Sequence, residues 1–254
     1  MITSPANARV KAAAALHNRS ERERSGLFLI EGHREIDRAF QAGIIIEHLF
    51  ILEGVEKPAW TVAGMAELVL GPVAFAKIAY GRDGVVAVAR RPTFDLESFN
   101  PAAPQLVLVT ESIEKPGNLG AMLRSAAATG AALLVADAAT DMTNPNVVRA
   151  SLGALFIVPV AQTTSAEAKS WLHKHDIVVA AAVVHDGVPP WSLDLTGPIA
   201  LVIGSEHIGL SSTWLETAVS RIQIPMVGAV DSLNAATAAA ILLFEAIRQR
   251  SAGR

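Results

Sequence analysis

From Leu106 onward, short runs of apolar residues alternate with longer segments in which apolar residues recur every few positions. Apolar runs bounded by Gly or polar residues are typical of parallel strands buried on both faces. These runs predict strands at 106–110, 132–136, 156–160, 177–183, 199–203 and 221–224. The intervening segments predict helices at 118–129, 145–153, 164–175, 210–218 and 234–250. Strands that alternate with helices indicate an α/β fold with a mostly parallel sheet.

The N-terminal part of the chain repeats this alternation on a smaller scale. Its pattern predicts strands at 27–30, 44–52 and 85–89, and helices at 5–19, 32–43 and 71–81. The charged stretch 20–26 predicts a solvated turn, whereas residues 53–70 are interrupted by Gly and Pro and predict no regular element. A second, small α/β domain is therefore expected before the first long apolar run.

The stretch ARRPTFDLESFNPAAPQ, residues 89–105, separates the two patterns. It holds three prolines and mixed charge without a sustained period, which is the composition of an interdomain linker. We therefore expect a first domain at 1–92, a linker at 93–104 and a second domain at 105–254.

The overall composition limits the classes of function. Hydrophobic residues make up 51% of the chain, but no apolar run reaches the roughly 18 residues that a membrane span needs. The N-terminus lacks the apolar core of a signal peptide, so we expect a cytoplasmic protein without a membrane partner. The absence of cysteine excludes disulfides and zinc–thiolate sites, and no metal is expected.

The charge of the chain does not by itself indicate nucleic-acid binding. The formal net charge is −3 and the sequence pI is about 6.2, whereas nucleic-acid-binding domains often have a pI above ~9. A modest basic excess lies in residues 1–42, where seven Lys or Arg face five acids. RNA binding therefore has to be argued from other features.

The stretch LVIGSEHIGLS, residues 201–211, carries the most specific chemistry in the chain. A buried strand stops at Gly204, and the loop that follows places one acid, Glu206, where open α/β sheets bind their ligands. Gly204 and Gly209 nearly fit a phosphate-binding loop, but position 210 is Leu instead of the required Lys. The absence of a Cβ at Gly204 predicts close approach of a ligand to the backbone, although Gly also simply ends strands.

Two further stretches supply polar side chains that have both structural and functional interpretations. Asn118 fits a helix cap, and Ser232 and Asn234 fit the cap of the last helix. Arg124 is surrounded by small and apolar residues, which favours a phosphate or carboxylate partner, although a structural ion pair remains an alternative.

Three motifs in this order and spacing resemble the SpoU (TrmH-like) family of RNA ribose 2′-O-methyltransferases, members of the SPOUT superfamily. The motif residues are Asn118, Gly120 and Arg124, then Gly204, Glu206, Gly209 and Leu210, then Pro225, Gly228, Ser232, Leu233 and Asn234. The resemblance covers roughly residues 104–250 and implies a trefoil-knotted SPOUT domain with a mostly parallel sheet. The stretch EGHREIDRAF, residues 31–40, resembles the start of the L30e-like substrate-binding domain that often precedes it.

The resemblance also implies an activity and its residues. It implies S-adenosylmethionine as cofactor and a homodimer. It also implies an RNA substrate, for which ribosomal (23S) RNA is favoured over transfer RNA. The catalytic residues that it implies are Arg124, Asn118, Glu206, Ser232 and Asn234. The cofactor-binding residues that it implies are Gly204, Ile224, Met226, Ser232 and Leu233. A tRNA methyltransferase, a non-catalytic SPOUT-like RNA-binding protein and an unrelated α/β enzyme are alternatives, and the general base stays unassigned.

Overall fold

A computed structural model describes residues 1–58, 65–81, 83–103 and 105–252. Pro104, the last residue of the predicted linker, lies outside the described residues, as do positions 253 and 254. The chain forms two compact units. The first combines Met1–Thr93 with Asp141–Ile157, and the second combines Phe94–Thr140 with Val158–Arg254.

The two units contain helices and strands in alternation. The helices are α1 (Ala8–Ala15), α2 (Arg19–Ser25), α3 (His33–Gln41), α4 (Pro72–Phe75), α5 (Pro116–Thr129), α6 (Pro145–Ser151), α7 (Ser165–Lys174), α8 (Ser212–Thr217) and α9 (Ala235–Ala252). The strands are β1 (Leu27–Glu31), β2 (Ile46–Leu52), β3 (Ala66–Leu70), β4 (Val85–Arg90), β5 (Leu106–Glu111), β6 (Ala132–Ala136), β7 (Val160–Thr163), β8 (Val178–Ala182), β9 (Ile199–Ile203) and β10 (Ser220–Ile222). Within the described residues, no helix has both the length and the apolar character needed to cross a membrane.

The first unit is built on a sheet with the strand order β1-β4-β2-β3. β4 pairs antiparallel with β1 and β2, and β3 pairs parallel with β2. No element is predicted at β3, because the preceding residues break the pattern and its side chains alternate between partly buried and exposed until the buried Leu70. Such half-buried alternation is what an edge strand requires. The predicted helix at 71–81 shortens to Pro72–Phe75.

The prediction of one helix at 5–19 followed by a solvated turn is wrong. α1 begins only at Ala8, because the Asn7 side chain caps it by accepting a hydrogen bond from Arg9 N at 2.9 Å. The charged stretch that follows forms α2, and its Arg22 is buried inside the first unit. A charged run therefore forms a helix here because one of its cations has an internal partner.

That partner is Asp141, the first residue of the segment Asp141–Ile157 in the first unit. Arg22 Nε donates a hydrogen bond to Asp141 Oδ2 at 2.8 Å, and its Nη2 forms an ion pair with the same oxygen at 2.8 Å. Arg91 donates a hydrogen bond to Asp141 Oδ1 at 3.3 Å. Burial raises the pKa of Asp141, but hydrogen bonds from Thr143 and Arg22 outweigh it, so the pKa lies below its ordinary value. The carboxylate is therefore held in its ionised form.

The second unit contains a parallel sheet with the strand order β10-β8-β9-β5-β6-β7. The central strands β5 and β9 are buried along their whole length, as their continuous apolar runs predict. Thr110 pairs with Ile203, so both strands end at the same edge of the sheet. The residues that follow these two strands, from Ser112 and from Gly204 onward, therefore start at the same edge.

One predicted strand of this sheet is misplaced. The apolar run at 156–160 predicts a strand, but β7 spans Val160–Thr163 and Ala154–Phe156 form a short 3₁₀ turn. Phe156 packs against Phe28 of the first unit, with ring centroids 6.3 Å apart. The apolar run therefore spans the end of the first-unit segment and the start of β7, with Ile157 exposed between them, and forms no continuous strand.

The edge strand β10 is covered on both sides by main chain. Ile222 pairs with Ala182 of β8 and forms a bridge to Val188, in the segment that follows β8. Val188 N donates to Arg221 O, and Gln223 N donates to Val188 O, each at 2.9 Å. The chain at 221–223 therefore runs between β8 and the segment after it.

Candidate active site

A cavity of about 550 Å³ opens in the second unit where β8, β9 and β10 end. Its walls come from the loop after β9, the segment between β10 and α9, and the start of α9. The five residues predicted to bind a cofactor all line this one cavity: Gly204, Ile224, Met226, Ser232 and Leu233. Glu206 and Asn234 line it as well. The structure therefore brings together residues that lie on separate stretches of the sequence.

Three predicted catalytic residues form a continuous chain of hydrogen bonds beside this cavity. Asn234 caps α9, because its Oδ1 accepts from Ala236 N at 2.9 Å and from Thr237 N at 3.3 Å. Its Nδ2 donates to Asn118 Oδ1 at 3.0 Å, and Asn118 Nδ2 in turn donates to Glu206 Oε1. The capping interpretation of Asn234 is confirmed, and the other atom of its amide contacts Asn118, while its catalytic role stays a prediction.

The chain of hydrogen bonds ends in an unpaired acceptor. Glu206 Oε2 is buried, and it has no hydrogen-bond partner among the described residues. A buried carboxylate oxygen without a donor loses the free energy of a hydrogen bond, about 1–3 kcal/mol or more for a charged group. Glu206 lines the cavity, so an unpaired oxygen on this side chain fits a site that is completed by a ligand bearing a donor.

Gly204 is required by the loop itself. A Cβ at this position would collide with the main chain of Gly209 and lie 2.5 Å from Leu210 N. The space is therefore filled by the loop's own backbone, which is a different reason from the ligand approach that the sequence predicts. Gly209 N also donates to Ser205 O at 3.0 Å, so the loop folds back on itself.

The loop is also anchored at its end by residues outside the predicted set. Ser211 donates to the buried Glu111 carboxylate through its main-chain N at 2.8 Å and its Oγ at 2.6 Å. Ser165 Oγ donates to the same carboxylate at 3.2 Å and accepts from Trp214 Nε1 at 3.0 Å. Glu111 directly follows the apolar run LVLVT, so a polar residue at the end of a buried strand is the signal that marks it.

The cavity carries charges of both signs. Lys115, at the start of α5, lines it together with the carboxylates of Glu206 and Asp231. Sequence analysis missed Lys115, because a lysine before a helix is ordinary in a surface loop. Within the described residues, no group of three or more His, Asp or Glu side chains is arranged to hold a metal ion.

Comparison with known proteins identifies the fold and the family. A sequence model described as the SpoU rRNA Methylase family matches residues 105–244, more than half of the chain. The chain belongs to the SpoU rRNA methylase family. A second model, described as the MRM3-like substrate binding domain, matches residues 7–83. The resemblance read from the three motifs and from the N-terminal stretch is therefore confirmed.

Individual SpoU relatives cover nearly the whole chain. The 23S rRNA (uridine(2479)-2′-O)-methyltransferase of Streptomyces viridochromogenes is 33% identical over 95% of this chain and 89% of its own. A 23S rRNA (guanosine(2553)-2′-O)-methyltransferase of Bacillus subtilis is 28% identical over 96% of this chain and 97% of its own. A solved structure of a SpoU methyltransferase from S. viridochromogenes, in complex with the cofactor AdoMet, is 34% identical, covers 98% of this chain and 100% of its own, and has a TM-score of 0.88.

These comparisons confirm three predictions. The α/β fold of the second unit is a SPOUT fold, preceded by a small α/β domain. The chain is an S-adenosylmethionine-dependent methyltransferase of the SpoU type. The prediction of S-adenosylmethionine as cofactor is confirmed for the family. The residues that hold it in this chain stay a prediction.

Arg124 of the SpoU domain lies apart from the cavity. It is exposed on α5 and does not line the cavity with Glu206. It follows Asn118 by six residues, and at about 100° per residue this places the two side chains on different sides of the helix. Within the described part of the chain, Arg124 makes no hydrogen bond or ion pair. The structure therefore does not support the alternative that Arg124 is a structural ion-pair residue.

Proposed function

We propose that this SpoU methyltransferase methylates a ribose 2′-hydroxyl of ribosomal RNA of the large subunit. The observation that carries the proposal is the hydrogen-bonded chain Asn234–Asn118–Glu206, which ends in an unpaired carboxylate oxygen at the cavity. The named relatives support the substrate class, because both methylate a 2′-oxygen of 23S rRNA. Since ribosomes assemble in the cytoplasm of a bacterial cell, we expect the enzyme to act there.

The cavity fits the cofactor of the family. S-adenosylmethionine supplies a methyl group that is already activated by a sulfonium centre. Ile224, Met226 and Leu233 offer apolar surface and main-chain groups to it, while Lys115 and Asp231 offer charges of both signs for its carboxylate and its ammonium group. The mixture of apolar walls and a few placed polar groups is typical of a small-molecule site.

We assign to Glu206 the task of holding the substrate hydroxyl. Its Oε2 has no partner among the described residues, and we assign to it the hydrogen bond from the ribose 2′-hydroxyl. Asn118 and Asn234 fix the orientation of the carboxylate, because each amide is held at both ends. Such alignment of reacting groups contributes up to roughly 7–11 kcal/mol in ideal cases.

We assign to Arg124 a contact with the RNA phosphate next to the methylated ribose. Its guanidinium is exposed and has no partner among the described residues, so it is available to a ligand. A planar guanidinium with several donors matches a phosphate in geometry and charge. The exposed position on α5 suits a long polyanionic substrate better than a contact inside the cavity.

We further propose that the second unit forms a homodimer through α9. Ile241 and Phe244 lie three residues apart on one side of this helix and are 39% and 52% exposed, whereas Leu242 and Leu243 are buried. Exposed apolar pairs of this kind favour a protein partner, here a second copy of the chain. Phe244→Glu should yield a monomer by light scattering, while Val73→Glu, an exposed apolar site in the first unit, should leave the dimer intact.

The path of the chain around β10 supports a trefoil knot in the SPOUT domain. Residues 221–223 run between β8 and the segment at Val188, and the chain then continues to Asn234 and α9. A segment enclosed in this way is what threading through a loop requires. We propose that this threading brings Asn234 to Asn118 and Glu206.

We also propose the domain limits read from the sequence, with an RNA-binding domain at 1–92, a linker at 93–104 and a methyltransferase domain at 105–254. The match of residues 7–83 to a substrate-binding domain supports the first of these. The segment Asp141–Ile157, within the proposed methyltransferase domain, belongs to the first compact unit.

The proposed function is tested by mapping 2′-O-methylation in RNA from cells with and without the gene, followed by transfer to the purified RNA in vitro. A single 2′-O-methylnucleotide lost from 23S rRNA, and restored by the purified enzyme with S-adenosylmethionine, is the expected result. A site in tRNA would instead favour the tRNA alternative. Unchanged methylation with no cofactor binding by calorimetry would indicate a non-catalytic RNA-binding protein.

A further inference from the structure

Glu111 lies at the end of β5, outside the cavity and outside the three sequence motifs. It is 6% exposed, and its carboxylate accepts hydrogen bonds from Ser211 N, Ser211 Oγ and Ser165 Oγ. Burial of an ionised group is unfavourable unless it is well paired. Because Glu111 is buried and accepts hydrogen bonds from three donors, it fixes the positions of Ser211 and Ser165.

The partner that matters is Ser211, the last residue of the loop 204–211 that carries Glu206. This loop is closed on itself, because Gly209 N donates to Ser205 O at 3.0 Å and Ile208 N donates to Ser205 Oγ at 3.2 Å. A loop braced in this way moves as one piece about its two ends. One end is fixed by β9, which is hydrogen-bonded along its length to β5 and β8.

The other end is fixed by Glu111. Ser211 immediately precedes α8, yet its side chain caps nothing in that helix and donates to the carboxylate instead. The same short stretch of chain thus contacts the loop twice, with Glu111 at Ser211 and Asn118 at Glu206. Release of the first contact would let the loop tilt and would weaken the second.

We propose that Glu111 is a positioning residue, which sets the place of the Glu206 carboxylate by holding Ser211 to the end of β5. The inference rests on the proposed role of Glu206, and it adds a residue that does not touch substrate or cofactor. Buried Trp214, whose Nε1 donates to Ser165 Oγ, belongs to the same network and reports on it. A displacement of about 1 Å in a reacting group typically lowers the rate on the order of 10²-fold.

The test uses the full-length enzyme in single-turnover methyl transfer at saturating S-adenosylmethionine. Glu111→Ala should lower the rate about 10²-fold with little change in the KM for RNA. Glu111→Gln should keep most of the rate, because its amide oxygen still accepts from Ser211 N. Glu114→Ala is the matched control, since this acid is exposed in the same stretch of chain and should behave as wild type.

A double-mutant cycle separates positioning from a general loss of structure. If Glu111 acts through Glu206, then Glu111→Ala should add almost nothing in a Glu206→Gln background. The indole N–H resonance of Trp214 should move in Glu111→Ala and stay in place in Glu114→Ala. If Glu111→Ala does not fold, the same rates and the same double-mutant cycle are measured with Ser211→Ala, which removes only the Oγ donor to Glu111.

The outcomes are distinct. Slow Glu206→Gln together with wild-type rates for Glu111→Ala and Ser211→Ala would overturn the positioning role and leave the proposed function standing. Additive losses in the cycle would also overturn it, because they would show that Glu111 acts independently of Glu206. A wild-type rate for Glu206→Gln would overturn the positioning role together with the role assigned to Glu206. An inactive wild-type enzyme on every RNA tested would instead show that the proposed function is wrong.

Discussion

Asn118 and Glu206 lie 88 residues apart in the chain and share a hydrogen bond at the edge of the sheet in the second unit. The bond joins the helix that follows β5 to the loop that follows β9, and these are neighbouring parallel strands. Because the second oxygen of Glu206 has no partner among the described residues, the pair presents one fixed and one free acceptor. The proposed role of Glu206, to accept a hydrogen bond from the substrate hydroxyl, rests on this difference between its two oxygens.

The first prediction concerns the amide that orients this carboxylate. Asn118→Asp should lower methyl transfer about 10²–10³-fold, because a carboxylate cannot donate to Glu206 Oε1 and repels it instead. Single-turnover transfer and cofactor affinity by calorimetry should be measured for the same variant. Asn146→Asp, an exposed asparagine in α6, is the control and should keep the wild-type rate. A wild-type rate in Asn118→Asp would contradict the assignment.

The second prediction concerns Arg124. Arg124→Ala should abolish measurable transfer to RNA while S-adenosylmethionine affinity stays within about twofold, because the side chain does not line the cavity. Lysine should restore little activity, since a point charge does not reproduce a planar fork. The melting temperature should not change, because Arg124 has no ion pair among the described residues.

Removal of a different exposed cation provides the control for Arg124. Lys169→Ala alters a charge on α7, far in sequence from every motif, and should leave both cofactor affinity and transfer unchanged. If Arg124→Ala instead loses cofactor binding or unfolds at a lower temperature, the guanidinium has a structural role and the phosphate assignment is wrong.

The second unit follows closely from the pattern of the sequence. The apolar runs at β5, β6 and β9 predict these strands with at most one residue of error, because each is buried on both faces and bounded by polar residues or Gly. The loop after β9 lines the cavity, as expected for the edge of a parallel sheet at which ligands bind. The local hydrophobic pattern is sufficient to predict a strand where every residue of that strand is buried.

The contacts that escape prediction are those between distant residues. Ser211 pairs with Glu111 across 100 residues, and Arg22 pairs with Asp141 across 119. The first contact depends on the order of the strands in the sheet, and the second depends on the segment Asp141–Ile157 belonging to the first unit. The hydrophobic periodicity of the sequence indicates neither. The charged stretch around Arg22 predicts a solvated turn because the local sequence does not show that Asp141 will pair with Arg22.

The third prediction concerns the pH dependence of stability at Asp141. Its pKa in the folded state lies below the ordinary value of 3.8, so folding favours the ionised form. The stabilisation is therefore fully present above that value and is lost as the pH falls through the lower folded pKa. Thermal unfolding followed between about pH 7 and pH 2 should show this loss in the wild type and a flatter profile in Asp141→Asn.

Asp141→Asn should also destabilise the protein at neutral pH by about 3–5 kcal/mol, because Arg22 then stays buried without a counter-charge. Glu23→Gln, which removes an exposed pair with Arg19 in the same helix, should change stability by no more than about 1 kcal/mol. Equal effects from the two variants would show that burial of the Arg22 pair confers no special stability.

The fourth prediction concerns a fragment that begins at residue 94. Every residue that lines the cavity lies in the second unit, so the fragment should bind S-adenosylmethionine with nearly full-length affinity. It should not methylate long RNA, because the proposed RNA-binding domain is absent. Its segment Asp141–Ile157 loses Arg22 and Arg91 and should be cut rapidly by proteases, whereas the same segment in the full chain is protected.

The substitution Asp141→Asn shows whether the proteolysis of the segment Asp141–Ile157 results from loss of the ion pairs with Arg22 and Arg91. In the fragment, Asp141→Asn should have no further effect on stability, since its cationic partners are already gone. In the full-length protein the same substitution should reproduce the proteolytic cutting at this segment while Arg22 and Arg91 remain. Full activity of the fragment on ribosomal RNA would show that the N-terminal domain is dispensable. A protected segment in the fragment would show that residues 141–157 fold without the buried ion pair.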